Sequence, residues 1–202
     1  MDFVQHDHRH ALALFRAEPA YAALYGEVVG VVSSIDDASL IDAYESLERG
    51  NKKSLSQPVN RLLKERLTAL GWQAESAIFS DPQYSGSQDK TRWRLDFAKG
   101  EVSLEVAFNH GEAVAWNLIK PVLASELNHV EKQIQTSAGI VICATEAMKS
   151  AGNFDRSVGS YEKFLRYLAP LGNILVTPLL ILGLEPPATF RIDPDTRAVV
   201  RR

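Results

Sequence analysis

Arg92-Trp93-Arg94-Leu95-Asp96-Phe97-Ala98-Lys99-Gly100-Glu101-Val102-Ser103-Leu104-Glu105-Val106-Ala107-Phe108 is the stretch on which the reading of this chain turns. Apolar residues recur at every second position on both sides of Ala98-Lys99-Gly100, which is the period of a β-strand, so the segment predicts a hairpin with its turn at 98–100. Trp93, Leu95 and Phe97 share one side of the first strand, and Arg92, Arg94 and Asp96 the other. On the second strand Val102, Leu104, Val106 and Phe108 form the core side, opposite Ser103, Glu105, Ala107 and Asn109. One face is core and the other gathers two carboxylates. Carboxylates on rigid strands are what an oxygen-preferring cation such as Mg²⁺ requires, although taken alone such a pair is more often simply solvated. Straight pairing about the 98–100 turn would set Glu105 opposite Arg92 or Trp93, so a twist or bulge is required to bring it to Asp96.

Upstream, Gln57-Pro58-Val59-Asn60-Arg61-Leu62-Leu63-Lys64-Glu65-Arg66-Leu67-Thr68-Ala69-Leu70-Gly71-Trp72 predicts a helix with Pro58 in its first turn, a leucine stripe, and Gly71 just past its end. Pro19–Ile35 and a segment capped by Asp36-Asp37 and ending near Gly50 predict two more helices. A strand is expected around Ala74–Phe79, and Ser80–Asp89 reads as a mobile polar loop. Downstream, Pro121 is placed at the start of a helix running through Leu127 and Val130 to about Gln133. Strands at Ile140–Ala144 and within Val176–Leu184, and a helix at Tyr161–Leu168, complete the pattern. Arg191–Arg202 shows no usable period. Helices around a mixed sheet make this an α/β (α+β) domain.

At 202 residues the chain is long enough for one full core. It has no long apolar run and no signal-peptide layout at Met1–Gln5, so no membrane partner and a cytoplasmic location are expected. The single Cys143 sits in an apolar run and reads as a buried small hydrophobe. A net charge of −3 argues mildly against a nucleic-acid binder, leaving room only for a local basic surface.

The hairpin resembles the catalytic hairpin of the BglII/BstYI-like type II restriction endonucleases, members of the PD-(D/E)xK nuclease superfamily. There Asp-Phe precedes Glu-Val-Gln-Phe, with the nine-residue step that separates Asp96 from Glu105. Pro58-Val59, Asn60, Lys64, Glu65, Leu67, Gly71 and Trp72 resemble the family's preceding helix. Ser125-Glu126-Leu127, the strand before Cys143, Ser160-Tyr161-Glu162 and Pro178–Leu184 follow in the family's order. The similarity spans roughly Ser54 to Leu184. It implies a restriction-endonuclease-like mixed sheet flanked by helices over 54–202; the N-terminal helical segment, 1–53, part of the same single domain, exceeds what that core requires and is the candidate dimer contact.

The resemblance further implies Mg²⁺-dependent double-strand cleavage at a short palindromic DNA site by a homodimer, by in-line attack of a metal-activated water. A cognate DNA methyltransferase is expected in the same system. Asp96 and Glu105 would hold the metal, with the carbonyl of Val106 as a further ligand, and Asn60 would face the site. The family has Gln, and the superfamily Lys or Glu, where this chain has Ala107, so another group is needed; Asn109, Glu65 and Glu112 are the candidates. Asn109, His110, Lys120, Arg156 and Ser157 fall at the family's DNA-contacting positions, with Lys120 at the start of a helix. Their chemistry suits base edges and phosphates.

His6, His8 and His10 read as a solvated terminal segment, His129 as an exposed or interface residue, and Trp72 and Trp116 as packing residues. Two rivals remain: a cleavage-dead DNA-binding protein of this fold, motivated by Ala107, and a dimeric interaction protein, motivated by the acidic balance.

Overall fold

The computed structural model describes residues 1–48, 50–85, 93–126 and 129–202. Residues 86–89 of the predicted polar loop, Arg92 and Leu127 with Asn128 lie outside the described residues.

The chain opens with a strand, β1 (Phe3–His8), followed by helices α1 (Ala11–Ala17), α2 (Pro19–Ser34), α3 (Asp37–Glu45) and α4 (Ser56–Ala69). Strand β2 (Gln73–Ala77), one helical turn α5 (Pro82–Ser85) and the hairpin strands β3 (Arg94–Lys99) and β4 (Val102–Val106) come next. A short 3₁₀ turn (Gly111–Ala113) leads into α6 (Val114–Ser125), then β5 (Ala138–Ala144), α7 (Glu146–Ala151), α8 (Tyr161–Leu171) and β6 (Leu179–Leu184). A two-stranded hairpin, β7 (Phe190–Ile192) and β8 (Val199–Arg201), closes the chain.

Six strands form one mixed sheet in the order β1-β6-β5-β4-β3-β2. Strands β4, β5 and β6 run parallel, and the remaining pairings are antiparallel. Because β5 and β6 are covered on both faces, they read as continuous apolar runs rather than alternating ones. Leu104, Val106, Ile140, Ile142, Leu180 and Leu182 pack with α1–α4 on one face. Ala107, Val141, Cys143, Leu179 and Ile181 meet α6 and α8 on the other.

Helix α4 starts and stops where the leucine stripe and Gly71 (φ +87°) predict. Asp36 accepts the backbone N–H of Ser39 at 2.8 Å and caps α3, which ends at Glu45 rather than near Gly50. Four expectations change. His6 and His8 lie in β1, an edge strand of the sheet paired with β6, and the His8 ring contacts the Leu175 carbonyl at 2.8 Å. Alternating exposure along this edge makes a strand look like a polar terminus. The first 53 residues also share the central core, through Phe15, Val28, Val32 and Leu40. The tail without period forms β7 and β8.

The fourth change matters for function: α6 begins at Val114, ends at Ser125 and carries Pro121 in its interior. Gly139 on β5 is what lets that turn of helix sit down on the sheet. A Cβ there would lie 2.6 Å from Leu179 Cδ2, 2.9 Å from Pro121 Cβ and 3.1 Å from Ser103 Oγ. Gly139→Ala is therefore expected to cost about 1–3 kcal/mol by overpacking. An unchanged urea midpoint would show that α6 has room to retreat.

Candidate metal centre and adjoining clefts

The hairpin loop is Gly100-Glu101, with Gly100 at φ +53°, a conformation that glycine adopts without strain. Pairs Lys99↔Val102, Ala98↔Ser103 and Phe97↔Leu104 fix the register, and one further step sets Asp96 opposite Glu105. No bulge is needed, since the turn lies nearer the second strand than the predicted 98–100. Asp96 accepts the backbone N–H of Val106 at 2.7 Å, which pins the carboxylate at the point where the two strands part.

Asp96 and Val106 line a cleft of about 240 Å³ together with Asn60 and Lys64 from α4, Ala74 and Glu75 from β2, Phe97 and Asn109. Asn60, Asp96, Val106 and Asn109 are thus brought together as the sequence implied. Lys64 was missed as a wall of the cleft, although its place one helical turn after Asn60 puts both on one face. Glu75 was missed as well: it lies opposite Asp96 on β2 at φ +54°, a strained value for a side-chain-bearing residue that no sequence pattern announces. Glu65 does not join the cleft; it is exposed and pairs with Arg61 at 3.8 Å.

Glu105 is fully buried (0% exposed) on the face covered by α6. Neither of its oxygens has a hydrogen-bond partner of ordinary geometry among the described residues, and the one cation in contact is the Lys120 ammonium, at Oε2. This corrects the place of Lys120. It lies in the second half of α6 rather than at a helix start, it is 7% exposed, and it points at Glu105 rather than outward.

Burial pushes the Glu105 carboxyl well above its ordinary 4.5, the neighbouring Asp96 charge adds to this, and Lys120 opposes it. Asp96 is raised from 3.8, again first by burial, with Lys120 and the Val106 N–H opposing. In the cation-free protein the folded chain therefore holds protons that the unfolded chain has released. The stability this lends is complete below the unfolded values and is lost as pH rises through the folded ones. Urea titrations between about pH 5 and about pH 8 should show the wild type losing more stability with rising pH than Glu105→Gln. Parallel profiles would contradict the shift.

Two facing carboxylates, one of them buried with unsatisfied oxygens, fit a hard divalent cation. Mg²⁺ takes one or two carboxylates and completes its shell with water and phosphate oxygens; no group of three or more His, Cys, Asp or Glu that could hold a metal occurs among the described residues. The Val106 carbonyl accepts a long bond, 3.3 Å, from Phe108 N–H.

Asn109 also lines a larger cleft, of about 1060 Å³, with His110, Arg156, Lys53, Asn153 and Arg197 among its walls. Ser157 Oγ contacts His110 Nδ1 at 2.5 Å and donates to Asp155 Oδ1 at 2.7 Å, so it orients the imidazole. Asn109, His110, Arg156 and Ser157 thus converge, without Lys120. Arg197 comes from the terminal hairpin, where the absence of period hid it.

No curated protein is similar to the chain by sequence. Among solved structures, a restriction endonuclease BglII complexed with a DNA 16-mer matches over 100% of this chain and 88% of its own, at 17% identity and TM-score 0.66. Free BglII matches over 100% and 92%, at 15% identity and TM-score 0.57. These likenesses establish the fold. The model of the family described as restriction endonuclease BglII/BglIII matches residues 3–184, nearly the whole chain, and the chain belongs to that family.

Proposed function

We propose that this protein is a type II restriction endonuclease making Mg²⁺-dependent double-strand cuts at a short palindromic DNA site, as a homodimer. The observation that carries the reading is the facing pair Asp96 and Glu105 beside a cleft that joins, through Asn109, a larger groove lined by Lys53, Arg156 and Arg197. This local basic wall answers the objection from net charge, because only the distribution of charge meets phosphate. That a solved BglII structure is a complex with a DNA 16-mer supports duplex DNA as the partner.

When bound, Mg²⁺ would supply positive charge against the phosphodiester under attack and make water acidic enough to act as a nucleophile near neutral pH. Asp96, Glu105 and the Val106 carbonyl would hold it. Asp96 is kept in place by the Val106 N–H, so the site is organised before DNA arrives. Lys64 and Asn60 face the cleft from α4 and would orient the sugar-phosphate chain. Asn109, His110 and Arg156 would address base edges, with Ser157 holding the imidazole. A two-fold dimer matches a palindrome, and the helices of residues 1–53 would provide its contact.

Arg156→Ala is expected to weaken specific binding by about 1–3 kcal/mol if the guanidinium reads a base edge. Equal weakening on all sequences, with a flatter salt dependence, would make it a phosphate contact instead. Unchanged binding would remove the larger cleft from the recognition surface. Incubation of the purified protein with phage DNA and Mg²⁺ tests the function directly, and discrete fragments are expected.

A DNA-binding protein that no longer cuts is the second reading, favoured by Ala107. Its methyl group packs in the apolar cluster with Val114, Leu118 and Phe164, so the strand offers no polar group there. Sequence-specific binding without cleavage in Mg²⁺ or Mn²⁺ would establish it.

A further inference from the structure

Ala107, one residue past the end of β4, offers no polar side chain, yet a cation stands beside Glu105 all the same, delivered from across the layer. Lys120 is one of few buried charged residues, and its helix is seated on the sheet over Gly139, with Pro121 packed against it. Its ammonium meets Glu105 Oε2, and no other ion pair of Lys120 occurs among the described residues. Glu105, Ala107 and Val141 emerge on the face that α6 covers, so Lys120 approaches Glu105 from the side on which residue 107 projects. A lysine is rarely buried without such a reason, because desolvating an ammonium is costly unless a carboxylate compensates.

We propose that Lys120 is the third polar member of the site: a positioning residue whose ammonium, held by α6 against Glu105, replaces the polar side chain missing at Ala107, just past β4. It fixes the orientation of the Glu105 carboxylate from the α6 side, where no other side-chain donor reaches it among the described residues; the Asp96 backbone N–H bears on it from β3. The second half of α6 thereby becomes part of the cleavage site rather than of the recognition surface. The inference rests on the nuclease reading for its consequence in cleavage, but the contact itself is testable without DNA or cation.

The first test is a double-mutant cycle on the metal-free full chain, by urea unfolding at about pH 8. Glu105→Gln and Lys120→Met should each shift the unfolding equilibrium by about tenfold or more, and the double mutant by clearly less than the product of the two. Independent, multiplying effects would overturn the pairing. The second test separates binding from turnover. Lys120→Met should bind DNA without metal within about threefold of wild type and leave KM nearly unchanged, while kcat falls about a hundredfold. Lys120→Arg, which keeps the charge, should recover part of the loss. A wild-type rate in Lys120→Met would overturn the proposal. So would a uniform loss of metal-free affinity for all sequences, since that would make Lys120 a phosphate contact. A wild-type protein that never cuts would sink the nuclease reading instead, and the cycle would still decide whether Lys120 holds Glu105.

Discussion

Asp96→Ala or Glu105→Ala is expected to lower Mg²⁺-dependent cleavage on the order of a thousandfold or more, because charge stabilisation worth several kcal/mol is lost with either carboxylate. The two residues differ in what else they do. Asp96 is half-buried, lines the small cleft and ties down the Val106 N–H, so its alanine variant also frees the end of β4. Glu105 is fully buried against Lys120, so its alanine variant leaves an ammonium in an apolar layer and should also lose stability. Metal-free binding to the specific sequence should survive both changes, since neither side chain lines the larger cleft. Gel shifts beside cleavage assays check this. Variants that still cut at a tenth of the wild-type rate would place the chemistry elsewhere.

Trp72→Ala should be the most damaging change far from the site, by about 3–5 kcal/mol. The indole is 2% exposed, and its Nε1 donates to Glu27 Oε2 at 2.9 Å. The same Glu27 carboxylate accepts from Lys99 Nζ at 2.7 Å, and Lys99 also donates to the Leu70 carbonyl at 2.7 Å. One buried ring thus joins α2, the end of α4 and the last residue of β3. Alanine would open a cavity and remove the indole donor from the Glu27 carboxylate that also holds Lys99 beside the tip of the β3–β4 hairpin. Trp72→Phe keeps most of the volume and should cost less. Urea midpoints for the two variants check the order, and a smaller shift for alanine than for phenylalanine would refute it.

Elements with an unambiguous period were legible in the sequence. The leucines of α4 recur at helical spacing and Gly71 punctuates them, while the alternation in β3 and β4 is strict enough to place both acids on one face of the hairpin. The register was not legible, because Ala98-Lys99-Gly100 and Gly100-Glu101 are both acceptable turn sequences and differ only in which residues pair. Lys120 was misplaced because Pro121 favours a first turn; in α6 the proline is tolerated inside the helix, where Gly139 leaves space below it. Asn60, Asp96, Val106 and Asn109 converge as the family pattern implied, since that pattern covers their strands and helix. Glu75 and Arg197 had no signal: the first depends on a backbone angle, and the second on a hairpin too short for periodicity.

The hairpin register also governs how chains of this design can change length. Asp96 stands as far before Gly100 as Glu105 stands after Glu101. Residues added at the tip, between Gly100 and Glu101, leave the two acids facing each other, so the tip is free to drift. A single residue added to either arm turns one acid through the sheet into the opposite layer, and only a matched addition to the other arm restores the meeting. Insertions and deletions in functional relatives should therefore collect at the tip, while the arms keep their lengths or change as a pair.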